Sequence, residues 1–477
     1  MPIEKQLGEV ARSNSSFIKA VVSIGRGFKF FFINFCKRFI DGGFPVKMSH
    51  FIMGFGNLYH KQIIKGFIYL IFQAGFIAFM ALCPRVNDTP FGYKALINFT
   101  TLGTNPGDIF TMTDNSMLMM LFGVVTMGII ILFFLLYLSN LESAYKAECD
   151  KRKEGRAQTF GEDIRHLLDN RFHVTLLTPT FIGVTIFTLM PTVFMIFIAF
   201  TNFDAEHQGA QLVDWVGFAN IAAIFTQTGE IGQRFLPVLG WTLTWTIFST
   251  FTCYFGGIFL GIMINMKGVK FKTFWRTIFI LTIAMPQFVS LLAVRNLLGE
   301  LGPFNNMLMS LGLTDDPISF LNNSQNILRT RITVILTNFW IGVPYTMLMT
   351  TGILLNIPAD LYEAARIDGA SKFRILLKIT MPYILFITTP YLISSFVGNF
   401  NSFNVIYLLT GGGPPVAGGY KAGSTDLLVT WLYKLSIDER EYNLGSVVGI
   451  MTFLCTSTIT LITYRRSKAY KEEDRFQ

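Results

Sequence analysis

Helical spacing gathers two sets of chemically useful residues onto single faces. At 100° per residue, Asn338, Ile341, Gly342 and Tyr345 fall within about 100° of one another, and Ser395, Asn399 and Ser402 follow i, i+4, i+7 spacing. Amides, hydroxyls and an aromatic ring are the groups that pair the hydroxyls and cover the C–H face of a sugar-like solute, provided they point into a cavity. The same residue types also pack and hydrogen-bond between membrane helices, at about 0.6 kcal/mol each. The residues alone leave both readings open. Trp241 and Trp245, one turn apart, suit either the lining of the same cavity or an anchor at the outer membrane interface, the anchor being the preferred reading, and Arg295 is expected to snorkel there.

Enzymatic chemistry finds no support. The sequence has no GxxxxGK[ST], HExxH or GxSxG motif, and its five histidines do not cluster. His60, His166 and His173 are expected at the surface. Cys36, Cys83, Cys149, Cys253 and Cys455 are scattered without a CxxC pair, which indicates packing residues and neither a metal site nor a disulfide framework.

The elements that must position these residues are membrane helices. Of 477 residues, 51% are hydrophobic and 14% charged, and the mean hydropathy is +0.47. Apolar windows of the roughly 20 residues needed to cross hydrocarbon lie at 63–83, 117–138, 174–200, 237–264, 277–298, 330–355, 382–408 and 445–464. Backbone polar groups cannot stay unpaired in lipid, so the fold class is all-α membrane with eight spans. Pro179, Pro191, Pro286, Pro344 and Pro390 lie within these windows and predict kinks around a central cavity.

Charge sets the expected orientation. With the N-terminus inside, 30 of the 39 lysines and arginines fall in inner segments and nine in outer ones, which places both termini in the cytoplasm of a multi-pass plasma-membrane protein. The net charge of +9 is then a topological signal, and no nucleic-acid module accompanies it. No cleavable signal peptide is expected. Residues 1–62 form an N-terminal arm, in which Lys19, Arg26 and Lys37 share one side of a stretch at 16–40 that reads as a helix on the anionic inner leaflet or as a solvated arm. A transmembrane hairpin (63–138), a charged cytoplasmic connector (139–173), a six-span core (174–464) and a tail (465–477) follow.

Between the sixth and seventh windows, residues 356–384 read as two short helices with a break. Pro358 suits a first helical turn, Gly369 a left-handed stop, Ser371 a cap, and Pro382 the start of the next span. A rigid helix pair joining two spans would transmit force to both, whereas an amphipathic re-entry loop would merely settle on the membrane.

Glu363, Ala364, Ala365, Asp368, Gly369, Ile379, Met381 and Pro382 resemble the EAA motif (EAA, three residues, G, nine residues, I, x, L, P) of binding-protein-dependent ABC importer permeases. Met381 stands where leucine is usual, a volume-conserving change. The runs Leu408 to Pro414 (LLTGGGP) and Thr425 to Leu428 (TDLL) are similar to the sugar-permease branch of that family, and to the larger permease of its maltose and maltodextrin type. The resemblance covers roughly 174–464 and implies a type I permease core. It implies that Leu361, Glu363, Ala364, Ala365, Asp368 and Gly369 dock on an ABC ATPase dimer, with shape and apolar contact supplying most of the energy. It further implies a second homologous permease subunit, a solute-binding protein at the outer segments 201–236 and 410–444, and a sugar facing Gly342, Tyr345, Ser395 and Asn399. Gly398 and Ser402 depart from that pattern, where an aromatic ring and an asparagine are expected. This chain would bind no cofactor, ATP and Mg residing on the partner. Competing readings are a permease for a non-sugar solute and an ion-coupled secondary transporter, the latter requiring charges deep within spans.

Overall fold

In the computed structural model, residues 35, 38–82, 91–104, 115–207, 212–227, 229–266, 268–416, 418 and 421–466 are described. The expected helix at 16–40 and the tail beyond 466 lie outside them almost entirely. Contacts divide the chain into two compact units, Met1–Phe194 and Met195–Gln477. Among the described residues seven helices are long and apolar enough to cross a membrane, and a bent pair makes an eighth candidate. The only extended pairing described is one antiparallel bridge, Thr201 with Trp215.

In the first unit, α1 (Ile63–Leu82) and α2 (Ser116–Glu154) pack against each other. Phe76 stacks on Phe133 with centroids 3.8 Å apart. Asn115 caps α2, and the helix continues far beyond its apolar window to Gly155, which stops it in the left-handed region. Against that charged extension lie two short helices, Phe44–Ser49 and Phe55–Tyr59. Buried Asn140 accepts from Gly54 N at 2.7 Å and donates to Ser49 O at 3.1 Å. Gly54 has φ +83°, and a Cβ there would meet Gly66 O at 2.1 Å, so both backbone shape and clearance require glycine. His60, expected at the surface, is buried beside these helices, and burial pulls its imidazole below the ordinary value. A Thr159–Glu162 capping box opens α3 (Phe160–Leu168). The span α4 (Phe172–Ile198) follows, with a π-turn at Thr185–Leu189 just ahead of Pro191.

The second unit is organised by α5 (Gly229–Asn265) and α8 (Ile327–Asn356). Cβ atoms built on Gly257 and Gly261 would lie 2.4 Å and 2.9 Å from the Cβ atoms of Thr346 and Thr350, so glycine at i, i+4 lets the two backbones approach closely. Buried threonines such as Thr242 and Thr246 donate to the carbonyl four residues back, at 2.8 and 2.6 Å, which satisfies hydroxyls where water is absent.

Two windows are redrawn. The fifth is two helices, α6 (Lys272–Ala284) and α7 (Gln287–Leu297), bent by 93°. Met285 is extended at ψ 135°, the conformation that the residue before a proline prefers. The seventh window merges unlike elements: the span α10 (Lys372–Phe400) starts ten residues earlier, and α11 (Phe403–Thr410) is a separate short helix. The last span is α12 (Tyr442–Arg466). Trp241 and Trp245 are not interface anchors. They are 5% and 0% exposed in a cluster with Leu291 of α7 and Val405, Ile406 and Leu409 of α11, and their indole N–H groups donate to Thr425 O and Asn399 O, both at 3.1 Å.

Candidate substrate pathway and coupling site

The seven expected pathway residues separate into distinct settings. Asn338 and Gly342 face α5: Cys253 Sγ donates to Asn338 O at 3.5 Å, Asn338 Nδ2 donates to that sulfur at 3.6 Å, and a Cβ on Gly342 would lie 2.7 Å from it. Ile341 packs on the tryptophan cluster. Asn399 donates to Thr250 Oγ1 at 3.0 Å. These four therefore make helix contacts. Ser402 does not continue the stripe, because α10 ends at Phe400 and Ser402 precedes the first residue of α11.

Tyr345 and Ser395 meet around a residue the sequence reading passed over, Tyr391. The rings of Tyr345 and Tyr391 stack with centroids 5.4 Å apart at 28°. The Tyr391 hydroxyl lies 3.3 Å from Thr346 Oγ1 and also engages Ser395. Tyr345 remains 53% exposed, so an aromatic face flanked by hydroxyls is open between α8 and α10. Tyr391 precedes Ser395 by four residues, so the i, i+4, i+8 stripe 391, 395, 399 was available as a signal.

The segment after α8 is an elbow. Only Ile357 and Pro358 separate α8 from α9 (Ala359–Ile367), Pro358 standing at the cap and not inside the first turn. Ala370 N donates to Ala365 O at 2.9 Å and Gly369 N to Arg366 O at 3.0 Å, the paired bonds of a Schellman ending, with Gly369 at φ +75°. Ser371 then caps the next turn by accepting from Arg374 N at 3.3 Å. That turn does not stop before the span. It runs into α10 through a π-turn at Leu376–Thr380, in which Met381 N donates to Leu376 O. Pro382 has no N–H for the following rung, so the ladder is interrupted there and one wider turn absorbs the fault. Tyr362 OH, 3.2 Å from Thr380 Oγ1, ties α9 to α10. No residue of α9 is buried. Leu361 is 45% and Ile367 86% exposed, while Glu363, Ala364, Asp368 and Gly369 are exposed and Ala365 half-buried.

At the opposite end of α8 and α10, the runs 408–414 and 425–428 form one knot. Thr425 Oγ1 donates to Gly413 O at 2.6 Å, and Thr410 and Thr425 hydroxyls lie 2.8 Å apart. Asp426, whose side chain has no exposed surface, accepts from Lys434 Nζ at 2.6 Å, Gly423 N at 2.7 Å and Thr430 Oγ1 at 2.9 Å. Burial pushes its carboxyl above the usual range, with Lys434 pulling the other way. Gly412 at φ +82° admits this carboxylate, which a Cβ would meet at 1.9 Å. Arg331 donates twice to Ser424 O, at 3.1 and 2.9 Å, and lies 4.2 Å from the Trp241 ring centroid. Arg331 and Lys434 gave no signal in sequence because their partners are distant along the chain.

Apolar helices of this length, an aromatic stack between two of them and an exposed elbow joining the same two spans define a multi-pass membrane transport protein. The model of the binding-protein-dependent transport system inner membrane component matches residues 257–468. The chain is 35% identical over 425 residues to the galactooligosaccharides transport system permease protein GanP of Bacillus subtilis (strain 168), covering 88% of this chain and 97% of that one. It is 33% identical over 429 residues to the maltodextrin transport system permease protein MdxF of the same organism, covering 89% and 95%. The crystal structure of a bacterial ABC transporter involved in the import of the acidic polysaccharide alginate matches with a TM-score of 0.53 at 22% identity, over 64% of this chain and 100% of that one. The chain belongs to the family of binding-protein-dependent transport system inner membrane components. It is a permease, a transport component and not an enzyme.

Proposed function

We propose that this chain is the larger membrane-spanning subunit of an ATP-driven oligosaccharide importer, lining the solute path with α8 and α10 and taking its drive from a separate ABC ATPase through α9. The observation that carries this is the elbow: an exposed helix with unpartnered Leu361, Ala364 and Ile367, fixed within two residues of α8 and continuous with α10. A push on α9 reaches both spans that hold Tyr345 and Tyr391. Glu363 offers its carboxylate to a basic residue of the ATPase, while the apolar residues supply most of the docking energy.

Sugar as the cargo is supported by the names of the 35% and 33% identical relatives and by the open tyrosine stack flanked by Ser395. The assembly consists of this chain, a homologous second permease, an ATPase dimer that holds ATP and Mg, and a solute-binding protein at the outer segments. Both termini lie in the cytoplasm. The runs at 408–414 and 425–428 resemble the maltose and maltodextrin type without singling out one oligosaccharide, so the cargo is assigned as a class. The test is reconstitution of the co-purified assembly with a sugar panel. Wild-type protein accumulates at least one oligosaccharide with stimulated ATP hydrolysis, and Glu363→Lys loses both while still inserting. Unchanged uptake by the Glu363→Lys assembly would sink the coupling, and an amino acid or phosphate as sole stimulant would sink the cargo class.

A further inference from the structure

A cavity of about 740 Å³ lies in the first unit, among α1, α2, α3 and the segment before α1, a size usual for a small-ligand site. One part of its wall is apolar, formed by Leu135 and Leu138 of α2 with Phe160 and Leu167 of α3. The other part is charged. Arg38, Lys65, Lys146 and Arg171 line it against two carboxylates, Glu142 and Asp163.

The ion pairs are unequal to the cations. Lys65 is held by Asp163 at 2.9 Å, and Arg38 lies 3.8 Å from Glu142. Lys146 donates to the neutral amide Gln158 Oε1 at 3.1 Å. Among the described residues Arg171 and Lys146 have no acidic partner within ion-pair range. Two positive charges are therefore uncompensated beside an apolar wall. Tyr69 and Ser139, whose oxygens lie 3.0 Å apart, line the same cavity on the two spans, so it adjoins the membrane-crossing helices. The α3 helix points to the same level, since Ile164, Leu167 and Leu168 stay 41%, 42% and 55% exposed along one side, as on a helix resting at a membrane interface.

We propose that this cavity seats one anionic glycerophospholipid, its phosphodiester meeting Lys146 and Arg171 and an acyl chain covering Leu135, Leu138 and Leu167. A soluble anion would use the charges and leave the apolar wall wet. A zwitterionic lipid would bring its own cation against Lys146 and Arg171. Only an anionic lipid answers both halves. Its placement in the inner leaflet rests on the orientation proposed above; its binding does not.

The test uses the full assembly purified in detergent and stripped of lipid. Binding of phosphatidylglycerol, phosphatidylcholine, glycerol phosphate and inorganic phosphate is measured by native mass spectrometry and by the shift in thermal stability. Wild type binds phosphatidylglycerol at least about tenfold more tightly than the other three. Lys146→Gln with Arg171→Gln weakens phosphatidylglycerol by about 30-fold, as expected for two cations near a membrane surface. The charge-keeping pair Lys146→Arg with Arg171→Lys retains it, which separates loss of charge from loss of fold. Equal affinity for phosphatidylcholine, equal affinity for glycerol phosphate, or undiminished phosphatidylglycerol binding by the Gln pair would each overturn the proposal. Because these measurements are made in detergent, they stand or fall independently of sidedness and of the transported solute.

Discussion

Asp426 illustrates how one residue can organise two distant runs. Its carboxylate holds Gly423 N, Thr430 Oγ1 and Lys434 Nζ with no side-chain exposure, beneath the glycines of the 408–414 run. A buried ion pair is weak evidence for net stability, but removing one partner is costly because the other charge is left desolvated. Asp426→Asn alone is therefore expected to destabilise the purified protein by about 3 kcal/mol. Adding Lys434→Met removes the stranded ammonium and returns the melting temperature toward wild type. Thermal unfolding of both variants in detergent checks this, and an additive double variant would show that the pair is not coupled. In sequence, Thr425 and Asp426 were legible as part of a family signature but without a role, because Lys434 reaches Asp426, and Arg331 the neighbouring Ser424 O, only in the folded chain. Tyr391 was legible by spacing, and the tryptophans were misplaced because Trp241 and Trp245 suit a membrane interface as well as a core; their buried N–H partners, Thr425 O and Asn399 O, decide the matter.

The elbow shows what a short element owes to its ends. Gly369 closes α9 at φ +75°, and within this chain nothing lies within 4 Å of a Cβ built there. Its requirement is thus backbone shape, where an ordinary L-residue costs about 1–2 kcal/mol and asparagine less. Gly369→Val is expected to loosen the turn, exposing 366–372 to limited proteolysis, whereas Gly369→Asn keeps both protection and solute uptake. Equal protection in both variants would remove the backbone argument. If Asn holds the turn but loses uptake, the open space beside Gly369 is occupied by the ATPase. The helix-break-helix pattern was legible here because proline, glycine and serine each have a local preference. The continuity of α10 with its preceding turn was not, since a π-turn depends on how the ladder accommodates Pro382. Pro286 likewise breaks its window by 93°, while Pro344 and Pro390 stay within helices. All three read alike as residues, and the difference lies in whether the residue before the proline turns extended.

For the whole chain, that 93° break decides which side the elbow faces. If α6 and α7 together cross the membrane, eight crossings put the elbow and the tail on the same side as the connector 139–173. If the pair turns back, α8 carries the elbow to the other side, along with Arg366, Lys372, Arg374, Lys378 and the five cations of the tail. Moving these nine charges outward while the six of 295–331 and 410–444 move inward leaves 27 of 39 inside in place of 30, against the bias. The broken pair should therefore span, as prolines permit where neighbouring helices satisfy freed carbonyls. Its half α7 does pack on neighbouring helices, since Leu291 is buried against Trp241, Trp245 and α11. In a chain with its five cysteines replaced, Ser371→Cys should react with a membrane-impermeant maleimide only after cells are opened. Lys421→Cys, between the two runs of the knot, should react in intact cells. The reverse labelling would make the pair re-entrant, put the elbow beyond reach of any cytoplasmic ATPase, and so remove the drive proposed for α9 while leaving the tyrosine stack and the Asp426 knot as described.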